Sequence, residues 1–250
     1  MRRISLLLGV SLLALTGAPA RAADVSAAVA ANFTKPAEEL GAAFTRLTSD
    51  TVAFSFGATG ALYTQISQGA PFEVFLSADN KRPAQAVKEG FAVDGTVFTY
   101  AVGKVVLYSP SLDLTDGVAV LTANGFQHLS VADPKTAPYG AAAMETLDKL
   151  GLTEAVTPKI VTGENISQAL QFIDSGNAEL GFVALSQVID KPGRAVWRVP
   201  AEDYTPILQD AVLLKPGEAD PAAAAFLEFL KGEDARAIIE KYGYEAGSDQ

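Results

Sequence analysis

Short apolar runs of strand length alternate with amphipathic runs of helix length along almost the whole of this chain, and that alternation limits the folds open to it. Val25–Ala30, Thr51–Phe56 and Phe72–Ser77 read as strands, separated by helical spacing over Pro36–Thr48 and Ala61–Gln68. A helix over Pro83–Glu89, stopped by Gly90, leads to a long strand signal, Val97–Tyr108, interrupted at Gly103. The pattern then repeats: strands at Leu129–Ala132, Lys159–Thr162 and Leu180–Ala184 alternate with helices at Gly140–Leu150 and Ile166–Asp174. Strands at Ala195–Val199 and Ile207–Leu214 and helices at Pro221–Lys231 and Asp234–Lys241 close the chain. Such alternation predicts an α/β protein with parallel sheets covered by helices on both faces. Two units fit the spacing better than one sheet. Lobe I is expected over residues 23–102 and 208–250, lobe II over 103–207, with two chain crossings forming a hinge.

Residues 1–22 stand apart. Met1-Arg2-Arg3 is basic, Ser5–Thr16 is almost wholly apolar, and Ala20-Arg21-Ala22 has the small-x-small form of a cleavage site, so the segment reads as a secretory signal peptide. Its apolar run is shorter than the roughly 18 residues a spanning helix needs. The chain has no cysteine, which removes disulfides, thiolate chemistry and lipid attachment through Cys, so a freely diffusing periplasmic protein, a monomer, is expected. Cleavage after Ala22 would leave 16 basic and 29 acidic residues, a formal charge of −13. That balance opposes nucleic-acid binding. Any anion must then be held by local donors and not by the overall field.

Four turns share one context, the end of a strand just before a helix: Ala31-Asn32-Phe33-Thr34, Gly57-Ala58-Thr59-Gly60, Pro138-Tyr139-Gly140 and Glu164-Asn165-Ile166-Ser167. In open α/β sheets ligands bind beyond the carboxyl ends of strands, where helix N-termini offer free N–H groups and positive dipole ends. Two such turns from each lobe, facing across a cleft, would surround a small anion. Taken singly, each turn reads better as an ordinary cap or connection; it is the four together that point to a site. Catalytic patterns are weak: His128 is the only histidine, no spacing suits a metal, and neither a P-loop nor a GxGxxG turn is present. No enzyme and no cofactor are expected.

With these residues in view, the chain resembles the periplasmic molybdate-binding proteins of ABC importers. The resemblance rests on Ala30-Ala31-Asn32-Phe33-Thr34, on Ser55-Phe56-Gly57-Ala58-Thr59-Gly60, and on the run from Gly69 to Asp79. Further markers are Asp133-Pro134, Ala137-Pro138-Tyr139-Gly140, Leu180-Gly181-Phe182-Val183, Phe229-Leu230-Lys231-Gly232 and Tyr242-Gly243-Tyr244. Their order covers essentially the whole chain after residue 22. The resemblance implies a two-lobed class II periplasmic binding protein fold with a hinge and an inter-lobe cleft. The implied ligand is molybdate or tungstate, two ions of nearly the same size, charge and shape, and the implied partners are the membrane permease subunits of an ABC importer. Carried over by position, Asn32 stands at a hydroxyl or amide donor, Thr59 at a second hydroxyl, and Ile166 at a backbone N–H; Ala31 supplies at most a backbone N–H. Many members of the family place a ligand-binding Tyr where this chain has Ala184. A second branch carries the Tyr at the third turn, and Tyr139 matches that branch. Sulfate, phosphate or a small organic anion on the same fold is the alternative ligand class.

Overall fold

The computed structural model describes residues 24–191 and 195–247; the expected signal segment, residues 1–22, lies outside them. The chain runs through β1 (Asp24–Ala30), α1 (Thr34–Thr48), β2 (Thr51–Gly57), α2 (Thr59–Ser67), β3 (Val74–Leu76), α3 (Lys81–Lys88) and β4 (Phe98–Gly103). It continues into β5 (Val105–Ser109), α4 (Gly117–Ala123), β6 (Leu129–Ala132), α5 (Pro138–Lys149), α6 (Thr153–Val156), β7 (Ile160–Gly163), α7 (Ile166–Asp174), β8 (Leu180–Ala184), α8 (Leu185–Val188) and β9 (Ala195–Arg198). It ends in β10 (Ile207–Leu213), α9 (Pro221–Phe229), α10 (Glu233–Lys241) and β11 (Glu245–Ala246).

These strands form two sheets. One has the order β11-β4-β10-β3-β1-β2, the other β7-β6-β8-β5-β9. The strand–helix alternation is parallel where it was expected to be: β1 pairs in parallel with β2 and β3, and β6 with β7 and β8. Neither sheet is wholly parallel, however. β10 lies antiparallel between β3 and β4, and β5 lies antiparallel between β8 and β9. The reason is the double crossing. The chain leaves the first sheet through β4 and returns through β10, and these neighbours run in opposite directions.

Local chemistry accounts for most helix ends. Pro138 opens α5 and Pro221 opens α9, each at a position where the missing N–H costs nothing. Asp116, Asn165 and Asp220 cap α4, α7 and α9 through their side chains. Ser49 and Gly151 turn the chain with positive φ after α1 and α5. Four elements carry little sequence signal. α4 is short and carries Gly117, two Val and a Thr, α6 and α8 are single turns, and β11 is two residues paired with β4.

Each sheet has its own apolar core. In the first, Phe33, Leu40 and Phe44 from the N-terminal segment meet Ala223, Phe226 and Ile239 from the C-terminal helices. Phe44 and Phe226 make an edge contact with ring centroids 5.2 Å apart. The C-terminal helices therefore complete the core begun by α1. In the second, Leu107, Leu129, Val131, Leu147 and Phe182 are fully buried. Phe226→Ala would remove a fully buried ring from the first core at a cost of about 3–5 kcal/mol. A melting temperature lower by roughly 10 °C in calorimetry is expected for a chain of this size.

Candidate functional site

The four turns that follow β1, β2, β6 and β7 meet at one small cavity, partly open to solvent. Ala31, Asn32, Thr59, Tyr139 and Ile166, the five residues singled out from sequence, all line it. The remaining wall is Ala30, Gly57, Ala58, Ala78, Ala137 and Pro138, so none of the lining residues carries a charge.

Each helix start offers donors that its own helix cannot use. At α7 the Asn165 side chain accepts from the N–H groups of Ser167 (2.9 Å) and Gln168 (3.0 Å). The N–H of Ile166, first in the helix, is left over. At α5 Pro138 has no N–H, and the N–H groups of Gly140 and Ala141 both go to the Ala137 carbonyl, so Tyr139 presents the free amide. At α2 the oxygen of the Thr59 hydroxyl accepts from the Ala78 N–H at 3.0 Å, which orients the group and leaves its proton available as a donor. Ala31 and Asn32 sit in a single 3-10 turn, Ala31–Phe33, that joins β1 to α1.

The Asn32 side chain behaves differently from a free donor. Its amide donates to Gln209 Oε1 at 2.6 Å and to the Tyr244 hydroxyl at 2.9 Å. The Tyr139 hydroxyl lies 3.5 Å from the same Gln209 oxygen and rests against the backbone of Gly103, where an added Cβ would come within 2.1 Å of it. Ala184 ends β8, fully buried. Its N–H donates to Gln187 Oε1 at 3.1 Å.

On either side of the cavity the two lobes touch. The Gly60 N–H donates to the Thr136 carbonyl at 2.9 Å, and a Cβ at Gly60 would sit 3.1 Å from Thr136 Cα, so glycine permits that approach. Arg82, paired with Asp79, reaches the Lys135 carbonyl at 3.3 Å. On the opposite side the Ser167 hydroxyl donates to the Ala31 carbonyl (3.2 Å) and the Ser186 hydroxyl to the Asn32 carbonyl (2.9 Å). This is a closed arrangement of the lobes. His128 stands away from it, at the start of β6, with its Nδ1 3.9 Å from Glu179.

Residues 25–245 match the family model described as bacterial extracellular solute-binding protein. The chain belongs to that family. Among curated relatives, this solute-binding protein is 55% identical over 241 residues to the molybdate-binding protein ModA of Rhodobacter capsulatus, covering 96% of this chain and 93% of that one. It is 52% identical over 248 residues to the ModA of Azotobacter vinelandii, covering 98% and 97% of the two chains. Among solved structures it superposes on an Azotobacter vinelandii periplasmic molybdate-binding protein with a TM-score of 0.85 at 40% identity, over 88% of this chain and 98% of that one. The fold is accordingly the two-lobed class II periplasmic binding protein fold.

Behind the cavity this solute-binding protein carries a buried polar network that sequence reading did not single out: Tyr100, Ser186, Gln209 and Tyr244. The available signal was a polar side chain inside an apolar strand, as with Gln209 in Ile207–Leu213 and Tyr100 in Phe98–Gly103. Burial holds the phenols neutral. The Tyr139 hydroxyl is pushed well above the usual tyrosine range by burial and by the neighbouring Tyr244 and Tyr100. Burial also pushes Tyr244 up, to about 12, against the opposing hydrogen bonds from Ser186 and Asn32. A phenol whose folded pKa exceeds its unfolded value near 10 stabilises the fold fully below pH ~10 and loses that contribution as pH rises toward the folded pKa. In an alkaline titration, phenolate absorbance from Tyr244 should therefore stay absent until about pH 12, and that from Tyr139 should stay absent well above the usual tyrosine range, each appearing together with loss of circular dichroism.

Proposed function

We propose that this protein captures molybdate, and equally tungstate, in the periplasm and delivers it to the membrane permease subunits of an ABC importer, without catalysis and without a cofactor. The observation that carries the reading is the uncharged cavity between the lobes, walled by four helix starts whose free donors converge. The close relatives named for molybdate binding support the choice of ion. In this reading lobe I comprises residues 23–102 and 208–250, lobe II residues 103–207, residues 1–22 are a cleaved signal peptide, and the protein acts as a monomer.

The proposed ligand set is the backbone N–H of Ala31, Asn32, Tyr139 and Ile166 with the hydroxyls of Thr59 and Tyr139. The Asn32 amide is committed to Gln209 and Tyr244, so Asn32 contributes its main chain and its side chain fixes the turn. A dianion is costly to strip of water, so its hydration must be replaced all at once. Hydrogen bonds to a charged group net about 1.5–3 kcal/mol each, so four to six of them outweigh the cost of association. Neutral donors also let go of the ion when the lobes open, whereas a paired guanidinium would retain it. Closing and opening about a hinge is the motion of periplasmic binding proteins generally. The wall carries no carboxylate, so an anion that keeps a proton, such as hydrogen phosphate, finds no strong acceptor for it.

Thermal denaturation with a panel of oxyanions tests the reading. Molybdate or tungstate at 100 times its dissociation constant adds about 2.7 kcal/mol of stability. The melting temperature should rise by roughly 5–10 °C. Sulfate and phosphate at the same concentration should leave it nearly unchanged. Equal shifts with sulfate would remove the assignment of the ion, and no shift with any oxyanion would remove the function.

Thr59→Val keeps the shape of the side chain, deletes one donor to the ion and also leaves the buried Ala78 N–H without its acceptor. Calorimetric titration should show molybdate affinity reduced about ten- to a hundredfold, the value of one hydrogen bond to a charge. Thr59→Ser should bind nearly as the parent does.

A further inference from the structure

We propose that Gln209 is a positioning residue of the anion site, holding the donor-bearing elements of both lobes in register from the strand that crosses the hinge. The inference rests on the oxyanion reading above and adds to it a residue that does not touch the ligand cavity.

Gln209 lies on β10, the strand by which the chain re-enters the first sheet, and its side chain is fully buried. The pairing of β10 with β4 shifts register between Gln209 and Asp210. Such an irregularity re-aims a side chain locally. Its carbonyl oxygen, Oε1, takes the Asn32 amide of the first lobe at 2.6 Å and faces the Tyr139 hydroxyl of the second at 3.5 Å. Its amide nitrogen donates to the Tyr100 hydroxyl at 3.4 Å, and Tyr100 in turn donates to the Ser77 carbonyl at 3.0 Å. One side chain thus accepts from a group of each lobe and is anchored from behind. Only a neutral group that both accepts and donates can fill that place.

The two distances have different consequences. At 2.6 Å the Asn32 amide is held firmly, which fixes the turn carrying the Ala31 and Asn32 N–H groups. At 3.5 Å Gln209 holds the Tyr139 hydroxyl only loosely, well beyond the ~2.7–2.8 Å usual for two oxygens, and the hydroxyl has a second partner in the Tyr244 phenol. A charged oxygen is a stronger acceptor than an amide carbonyl. Gln209 therefore keeps the phenol within reach of the ion without competing for its proton. Tyr139 belongs to the second lobe and Gln209 to the strand that re-enters the first, so the contact spans the two lobes.

Replacement by Glu makes this testable through pH. A buried carboxylate at Gln209 would draw the Tyr139 proton away from the ion and repel the ion itself. The protonated acid mimics the amide. The titratable groups around this position are the phenols of Tyr100, Tyr139, Tyr204 and Tyr244 and the carboxyls of Asp79 and Asp210. All of these are present in the parent protein, whose profile serves as the control.

The experiment is calorimetric titration of the parent, Gln209→Met, Gln209→Glu, Tyr139→Phe and the Gln209→Met/Tyr139→Phe pair with dilute sodium molybdate, at several pH values between mildly acidic and mildly alkaline. Gln209→Met should bind about tenfold more weakly, and the double variant should bind within about threefold of the weaker single variant, because the two side chains act as one unit. Gln209→Glu should bind a hundredfold or more weakly at the alkaline end and recover as pH falls, while the parent and Gln209→Met stay flat. Unchanged affinity in Gln209→Met, additive losses in the pair, or a flat profile for Gln209→Glu overturns the positioning role. If Gln209→Met does not fold, the Gln209→Glu profile decides alone. Absence of molybdate binding by the parent removes the oxyanion reading and this inference with it; binding by the parent with any of the three contrary results removes this inference only.

Discussion

A helix cannot bond its own first N–H groups, and the architecture of this protein follows from where those groups are aimed. In each lobe the parallel strands deliver the chain to a helix start at the same end of the sheet. The two ends face each other. Four helix starts then share one small space between the lobes. The lobes are held around it by a few direct bonds, from Gly60 to Thr136 on one side and from Ser167 and Ser186 to the Ala31–Asn32 carbonyls on the other. Buried donors left without acceptors are expensive, so a space lined by them favours an occupant made of acceptors.

Much of this was legible before the fold was seen. Strand and helix periodicity placed the long elements, and Asn165 stood just before the helix it caps, whereas Pro138 and Tyr139, read as a turn ahead of Gly140–Leu150, are the first residues of α5. All five residues singled out from the turns line the cavity. What was not legible arises from long-range pairing. β11 is two residues with no propensity of their own, recruited by β4. The antiparallel placement of β10 and β5 depends on the crossings and not on local pattern. The role of the Asn32 side chain was hidden for the same reason. Its partners, Gln209 and Tyr244, lie 177 and 212 residues further along the chain, and no local rule connects them.

The polar network behind the cavity shows how an uncharged site is kept rigid. Tyr244 accepts from Asn32 and its hydroxyl lies 2.9 Å from that of Ser186, so the C-terminal segment ties together residues of both sheets. Fully satisfied buried networks rigidify their surroundings, while partly satisfied ones are costly. Here the amide, hydroxyl and carbonyl groups form a connected set, and the phenols stay neutral because burial disfavours their ionised form.

The two crossings between lobes are unequal. β4 ends at Gly103 and β5 begins at Val105, so a single residue, Lys104, spans one of them, whereas eight residues separate β9 from β10. A one-residue link held at both ends by sheet pairing has almost no slack. Its shortness suits a pin, and the length of the other link suits a strap. Rotation about the pin is available and sliding is not. Any opening of the cavity mouth would therefore follow an arc about Lys104 and keep the two walls in the same registration.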